Sequence, residues 1–222
     1  MIFATSGFFE ALVLALTLHK GMAKHVVRDC GVPTAAFAVV ASDADAMSVD
    51  LSGPLFVKPV AEGTGKGISA ASLVSSAAEL RRACRHLLSR HQQPVLVEAY
   101  LPGAEFTVGI TGTGRQSSVL GVMEVLMNEC AEPHAYSYHN KEHYEDLVQY
   151  RLVEGAIARS AADLALAAWR VLGCRDGGRV DVRLDASGVP QFLEVNPLPG
   201  LNPRRSDLAI FHVLPSAEAE KR

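Results

Sequence analysis

The segment from Gly177 to Asn202, GGRVDVRLDASGVPQFLEVNPLPGLN, decides how this 222-residue chain is read. Val180, Val182 and Leu184 alternate with Arg179, Asp181, Arg183 and Asp185, the period-2 pattern of a half-buried strand. Ala186-Ser187-Gly188-Val189 supplies a short turn and Gln191 to Val195 returns, so a β-hairpin is expected. If Asp185 pairs with Pro190 across the turn, Asp181 falls opposite Glu194 and Arg179 opposite Asn196, all four on one face. Like charges directly opposite on a sheet repel, so two carboxylates there call for a counter-charge. A hard divalent cation supplies one, since Asp181, Glu194 and Asn196 offer oxygen ligands, the set that suits Mg²⁺. The alternative is a solvated outer face with an incidental carboxylate pair.

A second signal weighs against that alternative. Pro54 to Pro59 (PLFVKP) is a short apolar strand carrying Lys58, and Val60 to Ile68 (VAEGTGKGI) follows at once. Glycines at the alternate positions 63, 65 and 67 let the backbone approach a ligand closely. Successive N–H groups in such a loop form an anion-binding nest, and Lys58 and Lys66 add positive charge. The spacing is not that of a P-loop, which needs Ser or Thr after the lysine, nor that of the dinucleotide fingerprint. A glycine-rich turn alone is otherwise a flexible hairpin tip; the strand ending in Lys58 favours an anion site.

Composition sets the outer bounds. Apolar residues make up 49% of the chain and charged residues 20%, which excludes disorder, and 222 residues suffice for one or two domains. A net charge of -3 gives no general attraction to nucleic acid or to an anionic membrane. The four cysteines, Cys30, Cys84, Cys130 and Cys174, are scattered and form no C-x-x-C pair, so reduced thiols and a cytoplasmic location are expected. The apolar start, MIFATSGFFEALVLALTL, lacks a cationic leader and a cleavage site and is interrupted by Glu10. It is expected to be a buried helix from about Glu10, kinked near Gly21 and ending around Cys30-Gly31.

Further along, a strand is expected over Val32 to Val40, a helix start at Ser42 to Met47, and a helix over Ser72 to Arg90 with Leu73, Ala77, Leu80, Cys84 and Leu87 inward. The charged residues of that helix, Arg81, Arg82, Arg85 and His86, read as a solvated face. Strands follow at Pro94 to Tyr100, Phe106 to Thr111 and Val119 to Met127, then a polar loop from Asn128, and the longest helix from Tyr150 to Leu172. His139 and His143, four apart without an H-E-x-x-H pattern, make a zinc site improbable. Mixed strands and helices with hairpins predict an α+β fold and not a doubly wound parallel sheet.

Six blocks in order, LTLHKGMAKHVVRDCGVPT, PLFVKPVAEGTGKGIS, VLVEAYLPGAEFTVGI, YSYHNKE, GRVDVRLD and FLEVNPLPGLNPRRSDL, resemble the ATP-grasp enzymes and, among them, the D-alanine–D-alanine ligases. The resemblance runs from about Leu14 to Leu208. It implies two α+β lobes clasping ATP between their sheets, divided as residues 1–101 and 102–222. It also implies Lys20 and Lys58 on the phosphates, and Glu62, Gly63, Thr64, Gly65 and Gly67 in the loop over them. Glu98, the Tyr100–Leu101 backbone and Glu105 would hold adenine and ribose. Lys141 would reach the γ-phosphate, and Asp181, Glu194 and Asn196 would bind Mg²⁺ or Mn²⁺. Arg179 and the Gly200 N–H would stabilise a tetrahedral intermediate, and Ser206 would hold the second substrate's carboxylate.

The implied chemistry is ATP-dependent carbon–nitrogen ligation of small amino-acid substrates through an acyl phosphate, giving a dipeptide for peptidoglycan; a homodimer is compatible with it. The sequence departs from the family where substrate would lie. No counterpart of the family's extra N-terminal domain precedes Leu14, and its Y-x-G-S segment reads Ser6-Gly7-Phe8-Phe9. The loop serines are Thr64 and Gly65, the tyrosine after the mobile-loop lysine is Glu142, and the tail after Leu208 matches nothing expected. Two alternatives therefore stand beside the D-alanine ligase. One is an ATP-grasp ligase for other carboxylate and amine substrates; the other is a truncated ATP-binding module without ligase activity.

Overall fold

The structure, a computed structural model, describes residues 8–63, 65–127 and 148–198. Two antiparallel sheets dominate it, which bears out the α+β expectation. The first sheet has the order β1-β4-β2-β3. It comprises β1 (Phe37–Val40), β2 (Leu55–Pro59), β3 (Leu73–Val74) and β4 (Val95–Ala99). The second has the order β7-β6-β5-β8-β9. Its strands are β5 (Glu105–Thr111), β6 (Ser118–Met127), β7 (Val148–Leu152), β8 (Gly177–Leu184) and β9 (Pro190–Asn196).

Helices α3 (Asp43–Met47) and α4 (Ala77–His91) cover one face of the first sheet. Val57, Val95 and Val97 meet Ala46 and the α4 stripe of Leu80, Cys84 and Leu87, spaced to share one face of the helix. α4 starts five residues later than the expected Ser72. Leu73 and Val74 pair with β2, and the Ser76 side chain caps the helix by accepting the Glu79 N–H.

Under the second sheet lies α5 (Ala156–Val171), whose alanines let Trp169 pack fully buried against Val180, Val182 and Phe192. The expected helix from Tyr150 is shorter at its start. Val148–Leu152 forms an edge strand on β6, continued by a bond from the Val153 N–H to the Val122 carbonyl.

At the amino-terminal end, α1 (Phe8–Leu18) and α2 (Lys20–Asp29) are separate helices and not one kinked helix. The break is at His19, whose ring accepts the Met22 N–H as the α2 N-cap. Gly21 does not kink the chain but allows a close approach. A Cβ there would lie 2.6 Å from Val39, so glycine lets α2 lie against β1. Val13, Ala23 and Val27 join the core beneath the second sheet. The expected strand from Val32 is confined to Phe37–Val40, with Thr34 making a single parallel bridge to Phe192.

Candidate active site

The β8–β9 hairpin brings the expected residues together by a different register. Leu184, not Asp185, pairs with Pro190, because Asp185 belongs to the turn and accepts the N–H groups of Ser187 and Val189. Continued evenly, that register would put Leu193 opposite Asp181. A β-bulge intervenes: Val182 pairs with Phe192, but Asp181 pairs with Glu194 and Arg179 with Asn196. The bulge thus cancels the one-residue shift at the turn. Phe192 and Val195 go to the core, while both Leu193 and Glu194 face the other way.

That other face is one wall of a cleft between the sheets. Asp181, Arg183, Leu193, Glu194 and Glu105 line it from the second sheet, and Phe56, Lys58 and Glu98 from the first. Tyr100 and Leu101, in the link between β4 and β5, close one end, and Ile68 after the glycine-rich loop reaches it as well. Seven residues singled out from sequence therefore share one cleft: Lys58, Glu98, Tyr100, Leu101, Glu105, Asp181 and Glu194.

Charges in the cleft are arranged by partner. Glu98 is buried and held by two ammonium groups, Lys58 Nζ 2.6 Å from Oε1 and Lys24 Nζ 2.9 Å from Oε2. Burial alone would raise its carboxyl pKa, but the two lysines outweigh that and bring it down to about 2. Burial likewise opposes charge on Lys58, yet Glu98, Glu194 and Glu105 keep its pKa above the ordinary lysine value. On Lys24 burial wins and lowers the pKa. On the opposite wall, Arg179 Nη2 lies 3.3 Å from Asp181 Oδ2, and the Thr107 hydroxyl donates to Asp181 Oδ1 at 2.5 Å. Lys20 Nζ stands 3.5 Å from Glu194 Oε2.

The glycine-rich loop is tethered at Glu62 and packs closely at Gly67. Lys20 Nζ donates to the Glu62 carbonyl at 2.5 Å, and the Glu62 side chain accepts from Gln93 Nε2 at 2.8 Å beyond the end of α4. Gly67 has φ +78°, and a Cβ on it would sit 2.5 Å from Pro59. Only glycine lets the loop fold back so tightly against β2. Gly63 is exposed and Gly65 also has positive φ, at 73°. Thr64, Lys141, Gly200 and Ser206 lie outside the described residues.

The metal-ligand set can be judged on its own chemistry. Among the described residues no cluster of three His, Cys, Asp or Glu side chains is positioned for a metal. The candidate set has two carboxylates, Asp181 and Glu194, side by side on the cleft wall, with the Asn196 amide further along β9. Asn196 Oδ1 accepts the Leu198 N–H at 3.2 Å. An all-oxygen set on rigid strands fits a hard divalent ion.

Four contributors were not singled out from sequence. Arg183 shares the strand period of Arg179 and Asp181, stacks 5.4 Å from the Tyr100 ring and reaches Glu105 Oε2 at 3.4 Å. Its spacing would have shown it. Lys24 is signalled only by the Lys20–Lys24 spacing of one helical turn. Thr107 and Leu193 carry no local signal, since neighbouring strands place them.

Two antiparallel sheets closing on a cleft, with lysines on one wall and paired carboxylates on the other, define the ATP-grasp class of fold. Residues 26–208 match the family described as D-ala D-ala ligase C-terminus, and the chain belongs to that family. It is 34% identical over 195 residues to a D-alanine–D-alanine ligase of Cupriavidus taiwanensis, covering 86% of this chain and 57% of that one. A D-Ala:D-Ser ligase structure from Enterococcus faecalis superposes with a TM-score of 0.71 at 24% identity, over 89% of this chain and 57% of that one. The D-alanine–D-alanine ligase of Bacillus anthracis complexed with ATP gives 0.67 at 21%, over 90% and 61%. The chain thus spans little more than half the length of the curated relatives it matches.

Proposed function

We propose that the cleft binds Mg·ATP and that the chain carries out, or contributes the nucleotide half of, an ATP-dependent carboxylate–amine ligation of amino acids. The observation that carries this reading is the facing of Lys58 and Glu98 by Asp181 and Glu194 across one cleft in a chain of this family. Lys58 and Lys20 neutralise phosphate oxygens, and the loop from Glu62 to Gly67 covers them. Phe56, Leu101 and Leu193 give the cleft an apolar wall for the base, with Tyr100 and Leu101 main-chain groups and Glu105 orienting adenine and ribose. Glu98, whose carboxylate is taken up by Lys24 and Lys58, positions Lys58 and not the nucleoside. Asp181, Glu194 and Asn196 hold the divalent ion, which spreads the charge of the phosphates when bound.

In the reaction, the γ-phosphoryl group moves from ATP to the carboxylate of one amino acid with ADP as the leaving group. The amine of a second then attacks the acyl carbon, phosphate leaves with its bonding electron pair, and the nitrogen sheds a proton to solvent. The residues mainly position these groups and offset charge. Arg179, paired with Asp181, donates to the oxygen that becomes negative in the attack, with the Gly200 N–H assisting. Lys141 and Ser206 are assigned the γ-phosphate and the second carboxylate by their place in the family's motifs. The lobes divide near Leu101, and scattered cysteines favour a cytosolic setting. A second reading, a nucleotide-binding module without ligation, is favoured by Glu142 standing where the family has tyrosine. ADP release across a panel of amino-acid pairs, D-alanine first, separates the two: stimulation by any pair supports ligation, and none contradicts it.

A further inference from the structure

Among the described residues Lys24 is the one charged side chain with no exposed surface. Its ammonium pairs with the Glu98 carboxylate, 2.9 Å from Oε2, and donates hydrogen bonds to Thr34 Oγ1 at 2.7 Å and to the Phe192 carbonyl at 3.1 Å. Burying an ammonium is costly, and a position that only filled core volume would be better served by an aliphatic side chain. The partners belong to different parts of the fold. Glu98 lies on β4 of the first sheet, where it divides its carboxylate between Lys24 and Lys58. Phe192 lies on β9 of the second sheet, immediately before the bulge that turns Leu193 and Glu194 toward the cleft.

The Phe192 carbonyl is held twice, by Lys24 and by the Thr34 hydroxyl at 2.8 Å, and the Phe192 N–H donates to the Pro33 carbonyl at 2.8 Å. The chain is therefore pinned where β9 departs from regular pairing. We propose that Lys24 is a positioning residue that sets Lys58 on one sheet against Glu194 on the other without touching the ligand. The inference rests on the Mg·nucleotide reading of the cleft. A strut of this kind acts on the phosphate and metal end, and leaves the apolar base end largely alone.

Lys24→Met in the full chain tests this by calorimetric titration with adenosine and with ATP over a range of Mg²⁺ concentrations, its fold checked by circular dichroism. Loss of a group that orients metal ligands is expected to raise the Mg²⁺ needed for half-saturation by ATP about tenfold or more. Adenosine affinity should stay at the wild-type value. Thr34→Val, which removes one hydroxyl from the same junction, should shift the Mg²⁺ requirement in the same direction by about fivefold, and it decides the matter if Lys24→Met does not fold. Wild-type Mg²⁺ dependence in the folded variant, or equal loss of adenosine and Mg·ATP binding, overturns the inference. A wild-type chain that binds neither ligand overturns the nucleotide reading itself.

Discussion

Leu193 and Glu194, consecutive residues of β9, both face the cleft because the bulge opposite Asp181 suspends the strand's alternation between them. Two adjacent side chains therefore present an apolar and an ionic group to one cleft, and in the proposed function they meet the base and the metal respectively. Leu193→Ala removes part of the apolar wall and should weaken adenosine binding by about 1 kcal/mol, since its side chain is only half-buried. Its Mg²⁺ requirement should not change. Parallel titrations with adenosine and Mg²⁺ check both halves; a raised Mg²⁺ requirement would mean that Leu193 supports the bulge and not the base.

Glu194→Gln is the complementary change. It removes one of the two proposed anionic ligands while keeping size and the ladder pairing with Asp181. Mg²⁺ affinity in the presence of ATP should fall, with adenosine affinity and the melting temperature little altered. Retention of wild-type turnover at limiting Mg²⁺ would remove Glu194 from the metal site.

Glu98 makes a prediction about stability and pH. Glu98→Gln leaves Lys24 and Lys58 buried without their shared carboxylate, a change expected to cost about 3–5 kcal/mol in urea denaturation. The folded-state pKa of about 2 lies below the ordinary value of 4.5. Its contribution is thus fully present above about 4.5 and is lost as pH falls toward 2. The wild-type chain should lose stability over that window more steeply than Glu98→Gln. Equal acid slopes would contradict the assignment of charge to this carboxylate.

Much of this site was legible because short-range periodicity reports on strands. The alternation from Arg179 to Asp185 identified β8 and its polar face, and the run PLFVKP identified β2 with Lys58. The register was reached through two departures that cancel, a longer turn at Asp185 and a bulge at Leu193. Neither shows in an alternation count, because both depend on backbone hydrogen bonds. Lys24 was illegible for a similar reason. A lysine on a polar-looking helix reads as surface, and its burial depends on Glu98, far along the chain, and on a carbonyl of β9. The edge strand β7 was hidden because its residues continue the apolar phase of α5, while pairing with β6 is set by the backbone.

Arg179 separates ligation from nucleotide binding. Its guanidinium pairs with Asp181 at 3.3 Å, and in the proposed ligation it donates to the oxygen that becomes negative. Loss of one preorganised donor costs about a hundred- to a thousandfold in rate. Arg179→Met should abolish most amino-acid-stimulated ADP release while leaving ATP affinity within about a few-fold of wild type. A variant that turns over normally would take Arg179 out of the reaction.

The cleft between the sheets is proposed to hold a magnesium nucleotide. Calorimetric titration of the wild-type chain with ATP tests it most directly, with Mg²⁺, without Mg²⁺, and in a folded Lys58→Met variant. The expected result is saturable, Mg²⁺-dependent binding at millimolar ATP or below, weakened about tenfold or more by loss of the Lys58 charge. No heat and no thermal shift at millimolar ATP, or binding indifferent to both Mg²⁺ and Lys58, would contradict it.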